Sequence, residues 1–578
     1  MHDIVIRNAK IVDGTGSPAS LGDVAIEGEK IVAVGEKLAQ GKREIDADGL
    51  MLSPGWVDVH THYDGQATWD PYLTPSCWHG VTTAVMGNCG VGFAPVREDK
   101  RDWLIGLMEG VEDIPGAALA EGIDWSWETF PEYMDALDNS FYALDLAAQV
   151  PHGAVRAYVM GEHGATDAQA SEDERAAMAN VVQEAIAAGA VGFTTSRTVL
   201  HRSIDGEVVP GTDADALELL TIAKGMQNAG SAVFEVASDL APESNEFDWM
   251  DRIIDEMKCP VTYACVQNDE DPSQWQRLID YAAKRDGRGM YPQVAIRPPG
   301  MLMCFSGSHP FVARPSYQAI AHLPLAARVA ELRKPETRTR ILNEATGKSA
   351  RLLRLLFIEG KEMRSTISNY ERIFVLGDPP NYEPGPELSV TAIAARLGIS
   401  PEAAAYDCLL ELDGKAFLYT PLFNYNAGNY DVAREMMVHP STVLGISDGG
   451  AHCGVICDAS APTYLLSHFV RDRDRGPRIG LEHAIKMQTR DTAMLYGFKD
   501  RGLIAPGMRA DINLINFEEL ALPAPEMVAD LPASGKRLIQ RASGYHTTLL
   551  RGAVTFQNGE ATGELPGRLI RGRQAGLA

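Results

Sequence analysis

Two histidines one residue apart, His60 and His62, close a short apolar stretch that begins at Trp56. On a β-strand they share a face, and two neutral imidazoles so placed can grip one divalent ion at the ~2.0–2.1 Å that zinc requires. Such a pair arises often by chance, so its meaning depends on what else can join it. Cys89 sits between glycines in Gly87-Asn88-Cys89-Gly90. Glycine lets the backbone bend sharply, and thiolate is a good zinc ligand, although a small buried thiol is the commoner fate of a free cysteine. Asp448 precedes Gly449-Gly450. A carboxylate there could bind metal and take a proton from water, or it could cap a following helix. Taken together, the four residues favour the metal.

The elements that must position them alternate. Eight short apolar strands are predicted near 56–61, 81–87, 142–150, 190–195, 231–236, 260–266, 290–296 and 442–447, with amphipathic helical stretches such as 172–188 and 213–229 between them. That alternation predicts a parallel α/β architecture. Eight strands with helical crossovers is the count of a (β/α)₈ barrel, whose active site lies at the C-terminal strand ends; a doubly wound sheet also fits the alternation. His60, His62, Cys89 and Asp448 all fall at or just beyond such ends. The stretches 3–12, 23–36, 511–515 and 549–560 read as strands, with turns at Glu27-Gly28-Glu29-Lys30 and Gln557-Asn558-Gly559. Both termini therefore predict one small β-domain. The expected division is 1–53 and 505–578 for that β-sandwich, 54–296 and 442–504 for the barrel, and 297–441 for an insertion before the last strand. The insertion carries helical stretches at 389–396 and 401–412, and the run Met301-Leu302-Met303-Cys304-Phe305 reads either as an apolar pocket wall or as core.

The chain has 578 residues, 45% of them apolar and 22% charged, with a formal charge of −26. Those proportions belong to a globular protein, and the acidity argues against nucleic acid or an anionic membrane surface as partner. No stretch approaches the ~18 uninterrupted apolar residues of a membrane span. The first residues, Met1-His2-Asp3-Ile4, carry no basic and apolar leader pattern. The eight cysteines, at 77, 89, 259, 265, 304, 408, 453 and 457, are scattered without a disulfide framework. A cytoplasmic location is expected, and a homo-oligomer is compatible with the sequence.

Several stretches carry a family resemblance: Ser53-Pro54-Gly55-Trp56-Val57-Asp58-Val59-His60-Thr61-His62, His79-Gly80-Val81-Thr82-Thr83, Gly87-Asn88-Cys89-Gly90, Gly189-Ala190-Val191-Gly192-Phe193-Thr194-Thr195, Ser447-Asp448-Gly449, and Arg501-Gly502-Leu503 through Ala510-Asp511. Along nearly its whole length the chain resembles the amidohydrolase superfamily, in its N-acyl-D-amino-acid deacylase branch. The resemblance implies a metal-bearing barrel, a β-sandwich from both termini and an insertion near the seventh strand. It also implies that His60, His62 and Asp448 match one metal position and Cys89 the cysteine ligand of another. The sequence departs from the family at strands five and six, where histidines are usual and Glu235 and Cys265-Val266 stand instead. Glu235 could ligate through oxygen, and Cys265 only if it faces the barrel. One zinc ion is therefore expected, with two possible.

The expected reaction is hydrolysis of a linear amide, removal of an acyl group from the nitrogen of a small N-acyl amino acid or related amine. A metal ion acidifies water and polarises the carbonyl, and Asp448 would take the proton and return it to the leaving nitrogen. Arg197, then Arg297, are the candidates for holding a substrate carboxylate, and His152 for polarising the carbonyl. Two alternatives stand beside this: opening of a cyclic amide, as in hydantoinase or dihydroorotase relatives, disfavoured because no lysine lies at a strand end; and a non-catalytic scaffold, disfavoured by the co-occurrence of His60, His62, Cys89 and Asp448.

Overall fold

The structure is a computed structural model that describes residues 1–165, 168–240, 245–344 and 369–572. The part of the insertion at 345–368 lies outside the described residues. Eight parallel strands form its centre: β1 (Trp56–Thr61), β2 (Val81–Met86), β3 (Asp145–Pro151), β4 (Gly192–Arg197), β5 (Val233–Ser238), β6 (Val261–Ala264), β7 (Met290–Ala295) and β8 (Val443–Gly445). They pair in that sequence order. The sheet closes where Thr61 bridges Gly449, His62 N donates to Gly449 O at 2.8 Å and Asp448 N donates to His60 O at 3.1 Å. The closing seam is therefore built from the two stretches that hold His60, His62 and Asp448.

Burial on both faces is what makes these strands continuously apolar rather than alternating. Val57, Val59, Val85, Ala147, Val191, Val233 and Val443 pack with Tyr496 and Phe498 in one apolar cluster. The opposite faces pack against the surrounding helices, among them α1 (Arg101–Glu112), α2 (His152–Met160), α3 (Glu172–Ala187) and α4 (Ala216–Asn228). Local chemistry sets the helix starts: Ser171 and Glu174 form a reciprocal capping box for α3, and Asp215 accepts from Glu218 N at α4.

The termini combine in one nine-stranded sheet, with Met51–Pro54 of the N-terminal part hydrogen-bonded to Ile512–Ile515 of the C-terminal part. The turn expected at Gln557-Asn558-Gly559 is present, but a longer hairpin precedes it. The main hairpin joins Tyr545–Leu550 to Ala553–Gln557 through Arg551-Gly552, and the Asn558-Gly559 turn leads only to a two-residue strand. Glycine is required at 552, where φ is +74° and a Cβ would lie 2.2 Å from Gly28 O.

In the insertion, Gly300–Met303, Phe374–Val375 and Leu418–Pro421 form a small separate sheet. Met301, Met303 and Phe305 join Tyr406, Leu409 and Leu418 in a second core. That apolar run is core packing rather than a pocket wall.

Candidate metal centre

β1 delivers His60 and His62, both buried, to the C-terminal end of the barrel. Gln293 on β7 orients the first: its Oε1 accepts from His60 Nδ1 at 3.0 Å, which leaves Nε2 with a bare lone pair. That nitrogen stands 3.4 Å from Cys89 Sγ and 3.4 Å from Asp448 Oδ1. His62 Nε2 lies 3.8 Å from the same Asp448 oxygen. Donor atoms of His60, His62 and Cys89 all fall within 4.8 Å of one another.

The Gly87–Gly90 motif earns its residues one by one. Asn88 Nδ2 donates to Thr61 O and Val85 O, tying the ends of β1 and β2 together, and its Oδ1 accepts from Gln149 on β3. Thr194 of β4 donates to Gly87 O and accepts from Gly90 N. A Cβ on Gly87 would lie 2.4 Å from Gln149 O, and one on Gly90 2.6 Å from Ser196 N. Cys89 itself is held at φ +57°, a conformation uncommon outside glycine and concentrated at functional sites. On the other side of the centre Ile446, Asp448 and His452 are also left-handed, at +55°, +48° and +53°.

Electrostatics distinguish the groups. Burial lowers His62 to about 4, so it is neutral and ready to donate a lone pair at neutral pH. Burial, reinforced by Glu112, Glu235 and Asp448, pushes the Cys89 thiol well above its ordinary range, so a thiolate here needs a cation beside it. Burial works against the charge of Asp448 too, but the surrounding imidazoles of His62, His60 and His452 outweigh it and hold the carboxyl below the usual range. Glu235 accepts from Cys89 N through Oε2 at 3.2 Å, while its Oε1, 3.9 Å from His60 Nδ1, has no hydrogen-bond partner among the described residues. Burial raises Glu235 to about 7. Both ring nitrogens of His62 are likewise buried without a hydrogen bond. Orphaned imidazole nitrogens beside a thiol and two carboxylates fit a borderline-soft ion of the zinc class.

Of the three expected substrate residues, two turn away from the centre. His152 opens α2 on the outer side of the strands, where Nε2 meets Glu218 at 2.8 Å and Nδ1 meets Thr195 Oγ1 at 2.9 Å. Both ring nitrogens are occupied, so it polarises no carbonyl. Arg197 is the outward neighbour of Ser196, and its guanidinium is taken up by both oxygens of Glu246 at 2.7 and 2.9 Å. It is structural, and the assignment to a substrate carboxylate is corrected here. Arg297 is buried against Asp458 Oδ1 at 2.7 Å, its guanidinium 3.8 Å over the Tyr382 ring, and its Nη1 has no hydrogen-bond partner among the described residues. Cys265 faces outward, 3.9 Å from Trp275 O, and does not stand in for a histidine ligand.

The sequence reading missed Glu112, His452, His201 and Gln293. Glu112 Oε1 lies 3.4 Å from His62 Nδ1, and its Oε2 3.6 Å from His452 Nε2, which is 3.8 Å from Asp448 Oδ2. His201, hydrogen-bonded to Ser196, is lowered to about 3 by burial, with His452 and His62 adding to the effect. His452, four residues after Asp448, carried a spacing signal. Glu112 carried none, ending an ordinary amphipathic helix.

Comparison with known proteins agrees with this construction. A D-aminoacylase from Alcaligenes xylosoxydans xylosoxydans is 26% identical over 576 residues, covering 98% of this chain and 97% of that one. An N-acyl-D-aspartate deacylase of the same organism is 27% identical, covering 98% and 95%. The crystal structure of N-acyl-D-glutamate deacylase from Bordetella bronchiseptica, complexed with zinc and a phosphonate mimic of the tetrahedral intermediate, superposes with a TM-score of 0.63 over 99% of each chain at 22% identity, a likeness of fold. The model described as "Amidohydrolase family" matches residues 43–556. With the barrel, the seam and its histidines in place, this chain belongs to the amidohydrolase family.

Proposed function

We propose that the protein hydrolyses a linear amide, removing the acyl group from an N-acyl amino acid, with the D-configured substrates of its relatives as the first to test. The observation that carries this is the convergence of His60 Nε2, His62 Nε2, Cys89 Sγ and Asp448 Oδ1 at the mouth of the barrel. One zinc ion held by these residues suffices, with Glu235 Oε1 in reserve as an oxygen ligand. When bound, the ion supplies Lewis acidity for the scissile carbonyl and acidifies water toward neutrality.

The chain's own residues do the rest. Gln293 fixes the tautomer of His60, and the Asn88 and Thr194 clamps hold the Cys89 turn, so little reorganisation is needed when a ligand arrives. Asp448 stays ionised because imidazoles surround it. It is placed to accept a proton from the attacking water and to return it to the departing nitrogen. Of the expected substrate cations, Arg297 keeps an unused Nη1, which makes it the remaining candidate for the substrate carboxylate.

The test is metal content of protein purified without chelator, with His60→Ala as control, followed by a screen of N-acyl D- and L-amino acids. About one zinc per chain, lost in the variant, together with release of free amino acid, is expected. A metal-free protein that stays inert after zinc is restored would return the fold to a scaffold role.

A further inference from the structure

Beside the centre just described lies a buried ion pair with an unused atom on each partner. Arg297 stands two residues past the end of β7, and Asp458 lies on the segment that follows Asp448. The guanidinium directs Nε and Nη2 at a single oxygen, Asp458 Oδ1, at 3.2 and 2.7 Å, and Nη2 also donates to Cys457 O. Arg297 Nη1 and Asp458 Oδ2 are left buried without a hydrogen-bond partner among the described residues. The ring of Tyr464 lies 5.6 Å from the same guanidinium, and its hydroxyl is a third buried atom without a partner among those residues. Arg297 is 1% exposed, Asp458 and Tyr464 5% each. Buried polar atoms are hydrogen-bonded as a rule, and three orphans around one guanidinium call for a ligand. Burial raises Asp458 to about 6 against the pull of Arg297, and Asp448 adds to the rise, so the pair shares the electrostatics of the barrel mouth.

The charge of this group decides what it can hold. A substrate carboxylate at Nη1 would set a second anion beside Asp458, two negative charges against one guanidinium in a dry place, where unpaired charge is costly. A carboxamide adds no charge: its oxygen accepts from Nη1, and its amino group donates to Asp458 Oδ2 or to the Tyr464 oxygen. We propose that Arg297, Asp458 and Tyr464 form a specificity subsite for an uncharged carboxamide on the amine part of the substrate. That carboxamide is either the side chain of an N-acyl glutamine-like compound or the amidated α-carboxyl of an N-acyl amino acid. The subsite rests on the hydrolytic reading above and narrows the role of Arg297 there: the partner of Nη1 is the neutral isostere of a carboxylate. The Tyr382 ring, 3.8 Å from the guanidinium, holds it in plane for that partner.

Matched substrate pairs separate the two charges and the two sources. The zinc-loaded full-length protein is given N-acyl glutamine against N-acyl glutamate, and N-acyl alaninamide against N-acyl alanine, with the acyl group and configuration that the screen above finds best. The readout is kcat/KM for release of the acyl acid. A preference for the carboxamide of at least about tenfold is expected in one pair, and that pair names the source. Asp458→Asn, nearly isosteric and checked for an unchanged melt, removes the second charge and should move the ratio toward the acid by about tenfold. No preference or a preference for the acid in both pairs, or a ratio that the folded variant leaves unmoved, would overturn the proposal while leaving the hydrolase standing. If the variant does not fold, the wild-type ratios decide alone. Failure to hydrolyse any N-acyl compound would remove the hydrolytic reading, and this subsite with it.

Discussion

The two ends of the barrel treat buried carboxylates in opposite ways. At the N-terminal end Asp145, at the start of β3, is completely buried among Arg501 at 3.0 Å, Arg509 at 2.7 Å and Arg551 at 3.1 Å. Burial alone would raise it, but the three guanidiniums hold it at about 2. At the C-terminal end Glu235 is equally buried, accepts from the Cys89 amide at 3.2 Å with His60 Nδ1 3.9 Å away, and is raised by burial to about 7. One end carries its countercharge in the chain and is finished on folding. The other leaves both ring nitrogens of His62 and Oε1 of Glu235 without hydrogen-bond partners among the described residues, as a site does that expects a cation from outside. The seam between barrel and C-terminal segment is intermediate: His79 there is neutral and saturated, bonded to Thr463 Oγ1 and Gln540 O at 2.9 Å each.

The sharpest break of this contrast is Asp448→Asn. If the mouth is chemical and the floor structural, amide hydrolysis should fall about 10³-fold or more, equivalent to about 4 kcal/mol, with the melting temperature nearly unchanged. Undiminished turnover would end the mechanism. Arg501→Met should do the reverse, costing about 3 kcal/mol in denaturant unfolding while leaving zinc affinity intact; an equal loss of both would mean the ends are not independent. For the seam, burial lowers His79 to about 4 in the folded protein, against about 6.5 unfolded. The unfolded state then binds the extra proton, so this contribution is present above pH 6.5 and is lost as pH falls toward 4, at most about 3 kcal/mol. His79→Gln should flatten that stretch of the stability curve; an unaltered acid slope would assign it to other groups. The smallest effect is expected from Arg197→Met. With Glu246 absorbing its charge, KM for an N-acyl amino acid should move less than about threefold, below 1 kcal/mol, whereas a large rise would restore it as the carboxylate's partner.

Much was legible in the chain itself. Apolar runs of strand length, interrupted by helical stretches, marked all eight barrel strands, and the histidines and cysteine at their ends are ones the structure brings within 4.8 Å of one another. These are local signals: strand alternation, glycine punctuation and ligand chemistry need no knowledge of distant neighbours. What the sequence could not decide was direction. Arg197 and His152 stand at the right ends of the right strands, but one residue of phase turns them outward to Glu246 and Glu218. Nor could it find Glu112, which is ordinary along its helix and becomes exceptional only when β8 brings His452 and Asp448 beside it. Residue types determined that this protein has donors for a metal; only the closing of the barrel between β1 and β8 decided which of them meet, because that contact joins segments nearly 400 residues apart.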